Sequence, residues 1–111
     1  MSIQTSGEGV ILVESLRGLD IGEELQNVIQ QVGNQAGCHV IVDLAEVDIL
    51  NSSHLASLLR LRRMLRRCEH RLILCNVRPA TKGILSVTGL DAVFEIMGGR
   101  SDALSAVQAE D

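Results

Sequence analysis

Aromatic side chains are almost absent from this chain of 111 residues, in which Phe94 is the only phenylalanine, tyrosine or tryptophan. Proteins that hold single-stranded nucleic acid commonly stack its bases on aromatic rings. The apolar runs are also short, far below the ~20 residues that a membrane-spanning helix requires. We therefore expect neither a nucleic-acid partner nor direct membrane insertion.

The cysteines are few and follow no known pairing or metal-binding pattern. Cys38, Cys68 and Cys75 are odd in number and contain no C-x-x-C or Cys/His metal spacing. This predicts free thiols, a reducing cytoplasmic location, and neither a metal nor a cofactor. Catalytic signatures are missing too, since the chain has no G-x-S-x-G, P-loop or G-x-G-x-x-G sequence, and we expect a binding module rather than an enzyme.

The composition is that of a globular protein, with 46% apolar and 22% charged residues. A chain of this length has room for one hydrophobic core, so a single domain over residues 1–111 is expected. Its apolar patterns predict strands at 10–13, 38–44, 72–77 and 90–96. Helical patterns separate them, at 21–36, from about 51 to 69, from 79 to 89, and from 101 to about 107. This alternation predicts an α/β fold, with helices packed on a small mixed or mostly parallel sheet.

The second predicted helix has a polar start and a basic exposed side. Asn51, Ser52 and Ser53 are side chains that can cap a helix N-terminus. Six of the ten basic residues then follow within twelve positions, at Arg60, Arg62, Arg63, Arg66, Arg67 and Arg71. A solvated surface is the default interpretation, and docking of an acidic partner is the functional one that we favour over a nucleic-acid patch.

Four segments, in order along the chain, resemble the STAS domain, the fold of the anti-sigma factor antagonists. The central one is VIVDLAEVDILNSSHLASLLRLRRML, which resembles the family's strand ending in Asp and its Asp-Ser-Ser/Thr-Gly-Leu helix start. The others are Arg17-Gly18-Leu19-Asp20, the strand from Leu72 to Pro79, and the segment from Ile84 to Phe94. They are distributed in order from Arg17 to Phe94, so the resemblance extends over nearly the whole chain.

The resemblance implies a function and a site. Ser52 aligns with the serine that a partner kinase phosphorylates in the family, and Asp20 and Asp48 resemble the acidic rim around it. The implied partner-binding residues are Asp20, Asp48, Asn51, Ser52, Ser53 and His54. The implied function is an anti-sigma factor antagonist that binds an anti-sigma factor with ATP-dependent serine kinase activity and is released by phosphorylation.

Two positions depart from the family motif, and they keep other functions open. Asn51 stands where the motif has an acid, and His54 stands where it has glycine. These departures favour a non-switching STAS subunit of a transporter ATPase or of a multi-protein signalling scaffold. A nucleotide-binding module is a further alternative. For His54 itself, a simple exposed helix position is favoured over a pH sensor.

Overall fold

The computed structural model describes residues 3–5, 9–14, 21–34 and 38–108. It contains five strands, which are β1 (Ile3–Thr5), β2 (Val10–Glu14), β3 (His39–Asp43), β4 (Leu72–Cys75) and β5 (Glu95–Met97). It contains four α-helices, which are α1 (Ile21–Asn34), α2 (Ser52–Arg67), α3 (Pro79–Val87) and α4 (Arg100–Gln108). A short 3₁₀ helix, Leu90–Ala92, links α3 to β5.

The strands form one sheet in the order β1-β2-β3-β4-β5. The pairings of β2 with β3, β3 with β4 and β4 with β5 are parallel, whereas β1 pairs antiparallel with β2. Each parallel connection contains a helix, as a crossover between parallel strands requires. The expected α/β fold with a mixed, mostly parallel sheet is confirmed.

The side chains of the central strands alternate between two apolar layers. Val40 and Val42 face the larger core, which contains the buried sides of α1, α2 and α3. Ile41, between them, faces the smaller core against α4, with Ala103 and Val107. Both faces of β3 are therefore covered, which explains its continuous apolar sequence.

The predicted α1, α2, α3 and α4 and the strands β2, β3 and β4 are confirmed, with small shifts at their ends. Pro79 opens α3, and Gly89 follows its last turn with a φ of 77°, a left-handed conformation that suits glycine. The strand predicted over 90–96 is wrong in its first half, because the chain first turns through the 3₁₀ helix after Gly89. Cys68 falls on the same helical side as the buried Leu58, Leu61 and Leu65, but it is exposed because it is the C-terminal capping residue.

The length and polarity of the helices and the state of the cysteines are two further features of the fold. Within the described residues, every helix is too short or too polar to cross a membrane. The cysteines are free, with Cys75 buried, Cys38 half-buried and Cys68 exposed.

Candidate functional site

The start of α2 is organised by a reciprocal pair of hydrogen bonds between Asn51 and His54. The Oδ1 atom of Asn51 accepts from the backbone N–H of His54 at 2.8 Å. In return, Nδ1 of His54 accepts from the backbone N–H of Asn51 at 3.2 Å. This arrangement is a capping box in which histidine takes the place usual for Glu or Gln. The two residues that depart from the family motif are therefore hydrogen-bonded to each other.

Ser52 and Ser53 are the first two residues of α2, and both are exposed. Their side chains are not needed for the cap, because Asn51 supplies it. The first turn of α2 contains no acidic residue, so the positive end of the helix dipole is not offset by a carboxylate there. This leaves the Ser52 hydroxyl accessible beside a helix end that favours negative charge.

The loop between β3 and α2 is held from two directions. Val47 and Leu50 are buried in the main core, and Asp48 forms an exposed ion pair with Arg78, the residue that precedes α3. Ile49 points outward with 71% of its surface exposed. An exposed isoleucine on an anchored loop offers an apolar contact three residues before Ser52.

A groove lies between the N-terminal turns of α1 and α2. Its volume is about 560 Å³, and its lining includes Glu23, Gln26, Ser53 and Ser57. Nε2 of Gln26 donates to Oγ of Ser57 at 3.2 Å, which joins the two helices at the floor of this groove. Ser53 is thus the exposed serine that faces α1.

A polar network ties together the carboxyl ends of three neighbouring strands. Asp43 accepts from the backbone N–H of Ala45 at 2.9 Å, from Nδ2 of Asn76 at 3.2 Å, and from Nε of Arg100. Arg100 also donates to Glu14 at the end of β2. Asn76 has a left-handed backbone with a φ of 53°, a conformation that asparagine adopts more readily than most residues. The network fixes the strand end from which the loop to α2 departs.

The network also determines protonation at this end of the sheet. Burial by itself raises the pKa of Asp43, but the hydrogen bonds from Arg100, Ala45 and Asn76 outweigh burial and hold the pKa below 3.8. Burial and the nearby Asp43 charge raise the pKa of the Cys75 thiol to about 11. Cys75 is therefore a neutral core residue, as its place in an apolar strand predicts.

The structure places most of the sequence-predicted site residues around one loop and helix start. Ser52 and Ser53 are exposed as expected, and Asp48 is exposed but paired with Arg78. His54 is half-buried in the capping box, so the expectation of a simple exposed helix position is wrong. Asp20 lies outside the described residues.

The outward position of Ile49 and the contacts of Arg100 are among the features of this region that were not predicted from the sequence. Ile49 sits in the stretch VDIL, where three of four residues are apolar and the pattern does not tell which of them faces outward. Arg100 meets Asp43 and Glu14 only through the fold. Within the described ranges, no group of three or more His, Cys, Asp or Glu side chains is arranged to hold a metal ion.

Comparison with known proteins places this architecture in a family. A model of the STAS domain matches residues 20–103. BtrV of Bordetella bronchiseptica, provisionally named an anti-sigma factor antagonist, is 24% identical over 84 residues, which cover 76% of this chain and 72% of BtrV.

Two solved structures have the same fold. An anti-sigma-factor antagonist (STAS) domain protein from Planctomyces limnophilus has a TM-score of 0.79 and 22% identity, over 96% of this chain and 97% of that one. The Bacillus cell fate determinant SpoIIAA in its phosphorylated form has a TM-score of 0.73 and 21% identity, over 95% of this chain and 96% of that one. Since the family match spans most of its length, the chain belongs to the STAS domain family.

Proposed function

We propose that this chain, as one domain over residues 1–111, is a cytoplasmic anti-sigma factor antagonist whose binding is controlled by phosphorylation of Ser52. Its partner is an anti-sigma factor that is also an ATP-dependent serine kinase. The unphosphorylated protein binds this partner, and phosphorylation releases it. The chain itself acts by binding and not by catalysis. The observation that carries the proposal is the exposed Ser52 at the first position of α2 in a STAS domain.

The physics of the helix start supports a phosphate on Ser52. A phosphoryl group adds about −1.5 to −2 charges near neutral pH. At the first turn of α2 it meets backbone N–H groups and the positive helix end, so the modified domain can remain folded. A partner that covers Ser52 would have to desolvate this charge, which favours release.

The surroundings of Ser52 support a protein partner. Ile49 supplies an exposed apolar contact, and Ser53 extends the surface toward the groove beside α1. We include Asp20, Asp48, Asn51 and His54 in the same partner surface. Asp48 is paired with Arg78, so in this surface it acts through its ion pair and not as a lone carboxylate.

The capping box also bears on which kinase can act on Ser52. The family motif has an acid at position 51 and a glycine at position 54, whereas this chain has a neutral cap and an imidazole. Asn51 is a neutral amide and its oxygen is already engaged as the cap, so its side chain offers the kinase no charge. We therefore infer that the cognate kinase recognises the helix start without that carboxylate.

The test is to map phosphorylation on protein purified from its native cells. Wild type and the variants Ser52→Ala and Ser53→Ala are isolated in growth and in stress, and intact mass and peptide mapping locate any phosphate. We expect phosphate on wild type and on Ser53→Ala but none on Ser52→Ala. Absence of phosphate from Ser52 under both conditions would contradict the proposal.

A second measurement tests release. Ser52→Ala should retain the kinase during purification, whereas Ser52→Asp, which introduces a negative charge at the helix start, should lose it. Equal retention by the two variants would remove the reason for a switch at this serine.

The same site supports a second candidate, a STAS subunit that does not switch. The observation that favours it is the Asn51–His54 capping box, which replaces the two motif residues that flank the serines. Such a subunit would belong to a transporter ATPase or to a multi-protein signalling scaffold. It would co-purify with an ATPase or a large assembly, in the same amount for wild type and Ser52→Asp.

A further inference from the structure

One side of α2 carries five arginines. We call Arg60, Arg62, Arg63, Arg66 and Arg67 the arginine face. Four of the five are exposed, and Arg62 is half-buried. Among the residues that the structure describes, none of the five guanidinium groups has a carboxylate partner. By contrast, the three other described arginines, Arg71, Arg78 and Arg100, are all in ion pairs.

Helix stability does not explain this accumulation of charge. Arg66 and Arg67 lie in the last turn of α2, where cations interact favourably with the helix dipole. Arg60, Arg62 and Arg63 lie further from that end. Like charges three or four residues apart on a helix repel each other, so the spacing within the arginine face is mildly destabilising.

The surrounding charge makes the arginine face distinct. Residues 60–71 hold six of the ten basic residues and one of the fourteen acidic ones, so the rest of the chain carries a formal charge of −9. The arginine face is thus a local positive patch on an acidic protein. A long polyanion would extend beyond the patch onto negative surface, whereas a short acidic segment would match it.

The arginine face borders a polar cleft at the C-terminal end of α2. The cleft has a volume of about 570 Å³, and Arg62 and Arg66 line it together with Glu69, His70 and the ion pair between Arg71 and Glu95. Nη2 of Arg71 lies 2.6 Å from a carboxylate oxygen of Glu95, and the positive charge of Arg71 is therefore already paired. Arg62 and Arg66 are the guanidinium groups left to receive a carboxylate there.

The arginine face and Ser52 share one side of the helix. At 100° per residue, Ser52 falls within the arc of about 160° that the five arginines span. Arg63 lies about 16 Å from Ser52 along the helix axis, at 1.5 Å per residue. One extended or helical partner segment can therefore contact both.

We propose that the arginine face is a docking surface for an acidic segment of a protein partner. The segment lies along α2 and places carboxylates on Arg63 and in the cleft that Arg62 and Arg66 line. Guanidinium groups pair with carboxylates through two parallel hydrogen bonds, which suits a peptide with Asp and Glu side chains. This surface adds a binding determinant that does not depend on Ser52 being phosphorylated, so it goes beyond the proposed switch.

The experiment measures binding of a fluorescent, Glu- and Asp-rich peptide of about 16 residues, long enough to follow α2 as a helix. Wild type is compared with the triple variant Arg62→Gln, Arg63→Gln, Arg66→Gln, because glutamine keeps the helix propensity and a polar side chain but removes the guanidinium charge. The matched single variants are Arg63→Gln and Lys82→Gln, the latter on the exposed side of α3. A DNA duplex and phosphatidylglycerol vesicles serve as the other anionic probes.

We expect the triple variant to bind the peptide about tenfold more weakly than wild type, since several charge contacts are lost. Arg63→Gln should weaken binding measurably, and Lys82→Gln should not. Raising NaCl from about 50 mM to about 300 mM should weaken wild-type binding, because exposed charges are screened. If the triple variant does not fold, the single variants decide the question.

Three results would overturn the proposal. Equal peptide affinity for Arg63→Gln and Lys82→Gln would mean that the arginine face is not the docking surface. Tighter binding of the duplex or the vesicles than of the peptide would assign the surface to another class of ligand. Self-association of wild type that the triple variant loses would make a second copy of this chain the partner.

Discussion

Arg100 and Arg63 illustrate two kinds of charged site in this protein. Arg100 donates to Asp43 and Glu14 at the carboxyl ends of the strands, where Asp43 is buried. Arg63 is exposed on α2 and contacts no carboxylate among the described residues. Removing one member of a buried network leaves its partners unsatisfied, whereas an exposed unpaired charge contributes little to stability. The first site should therefore affect folding, and the second should affect binding.

The same substitution at both sites tests this difference most directly. Arg100→Gln should lower the free energy of unfolding by about 1–2 kcal/mol, because Asp43 and Glu14 lose a charged donor and Arg100 is itself partly exposed. Arg63→Gln should change it by less than about 0.5 kcal/mol. Urea denaturation of the two variants gives both values. Similar losses of unfolding free energy in the two variants would mean that Arg100 and Arg63 do not differ in their contribution to stability.

The pH dependence of stability gives a second test of the buried site, through the carboxylate of Asp43. Its pKa is lowered in the folded protein, so the carboxylate contributes stability that is fully present above the ordinary value of 3.8. That contribution is lost as the pH falls through the lower folded pKa.

Urea denaturation of wild type and Asp43→Asn over this range measures the contribution. The advantage of wild type should shrink as the pH falls below about 4. A constant difference between the two proteins at every pH would contradict the assignment.

The start of α2 extends the comparison to an uncharged hydrogen bond, the one that Asn51 accepts from the backbone N–H of His54. Asn51→Ala removes the cap that serves the backbone N–H of His54 and should cost about 1 kcal/mol of stability. Ser52→Ala is the control, since Asn51 already supplies the cap, and its effect should be small. Thermal or urea unfolding compares them. A larger loss at Ser52 would mean that the serine is a structural cap and not a free hydroxyl.

The opposite end of α2 gives the smallest expected effect, and it has the opposite sign. Glu69 follows the helix with a left-handed φ of 62°, and His70 donates its backbone N–H to Leu65 at 2.9 Å, as in a Schellman motif. Glycine adopts this conformation without strain, so Glu69→Gly should raise the free energy of unfolding by about 0.5 kcal/mol. Glu95→Gly, in β5 where the backbone is extended, should lower it.

The parts of the fold that could be predicted from the sequence are those that depend on local pattern. Apolar residues at three- and four-residue steps identified α1 and α2, and short apolar runs identified β2, β3 and β4. The first strand escaped prediction because Ile3–Thr5 is only three residues long and is defined by its antiparallel pairing with β2. The resemblance to the STAS domain depended on the order of motifs, which is also a property of the sequence.

Helix periodicity is local, so it was sufficient to predict that α2 begins at a polar cap, carries Ser52 in its first turn and displays its arginines away from the core. The pairing of charges depends on the tertiary structure, because Arg100 meets Asp43 across 57 positions and Glu14 across 86. The contact of His54 with Asn51 in the cap and the outward position of Ile49 depend on it as well. Strand order and register bring together side chains that are distant in the sequence. The periodicity within one segment contains no information about strand order or register.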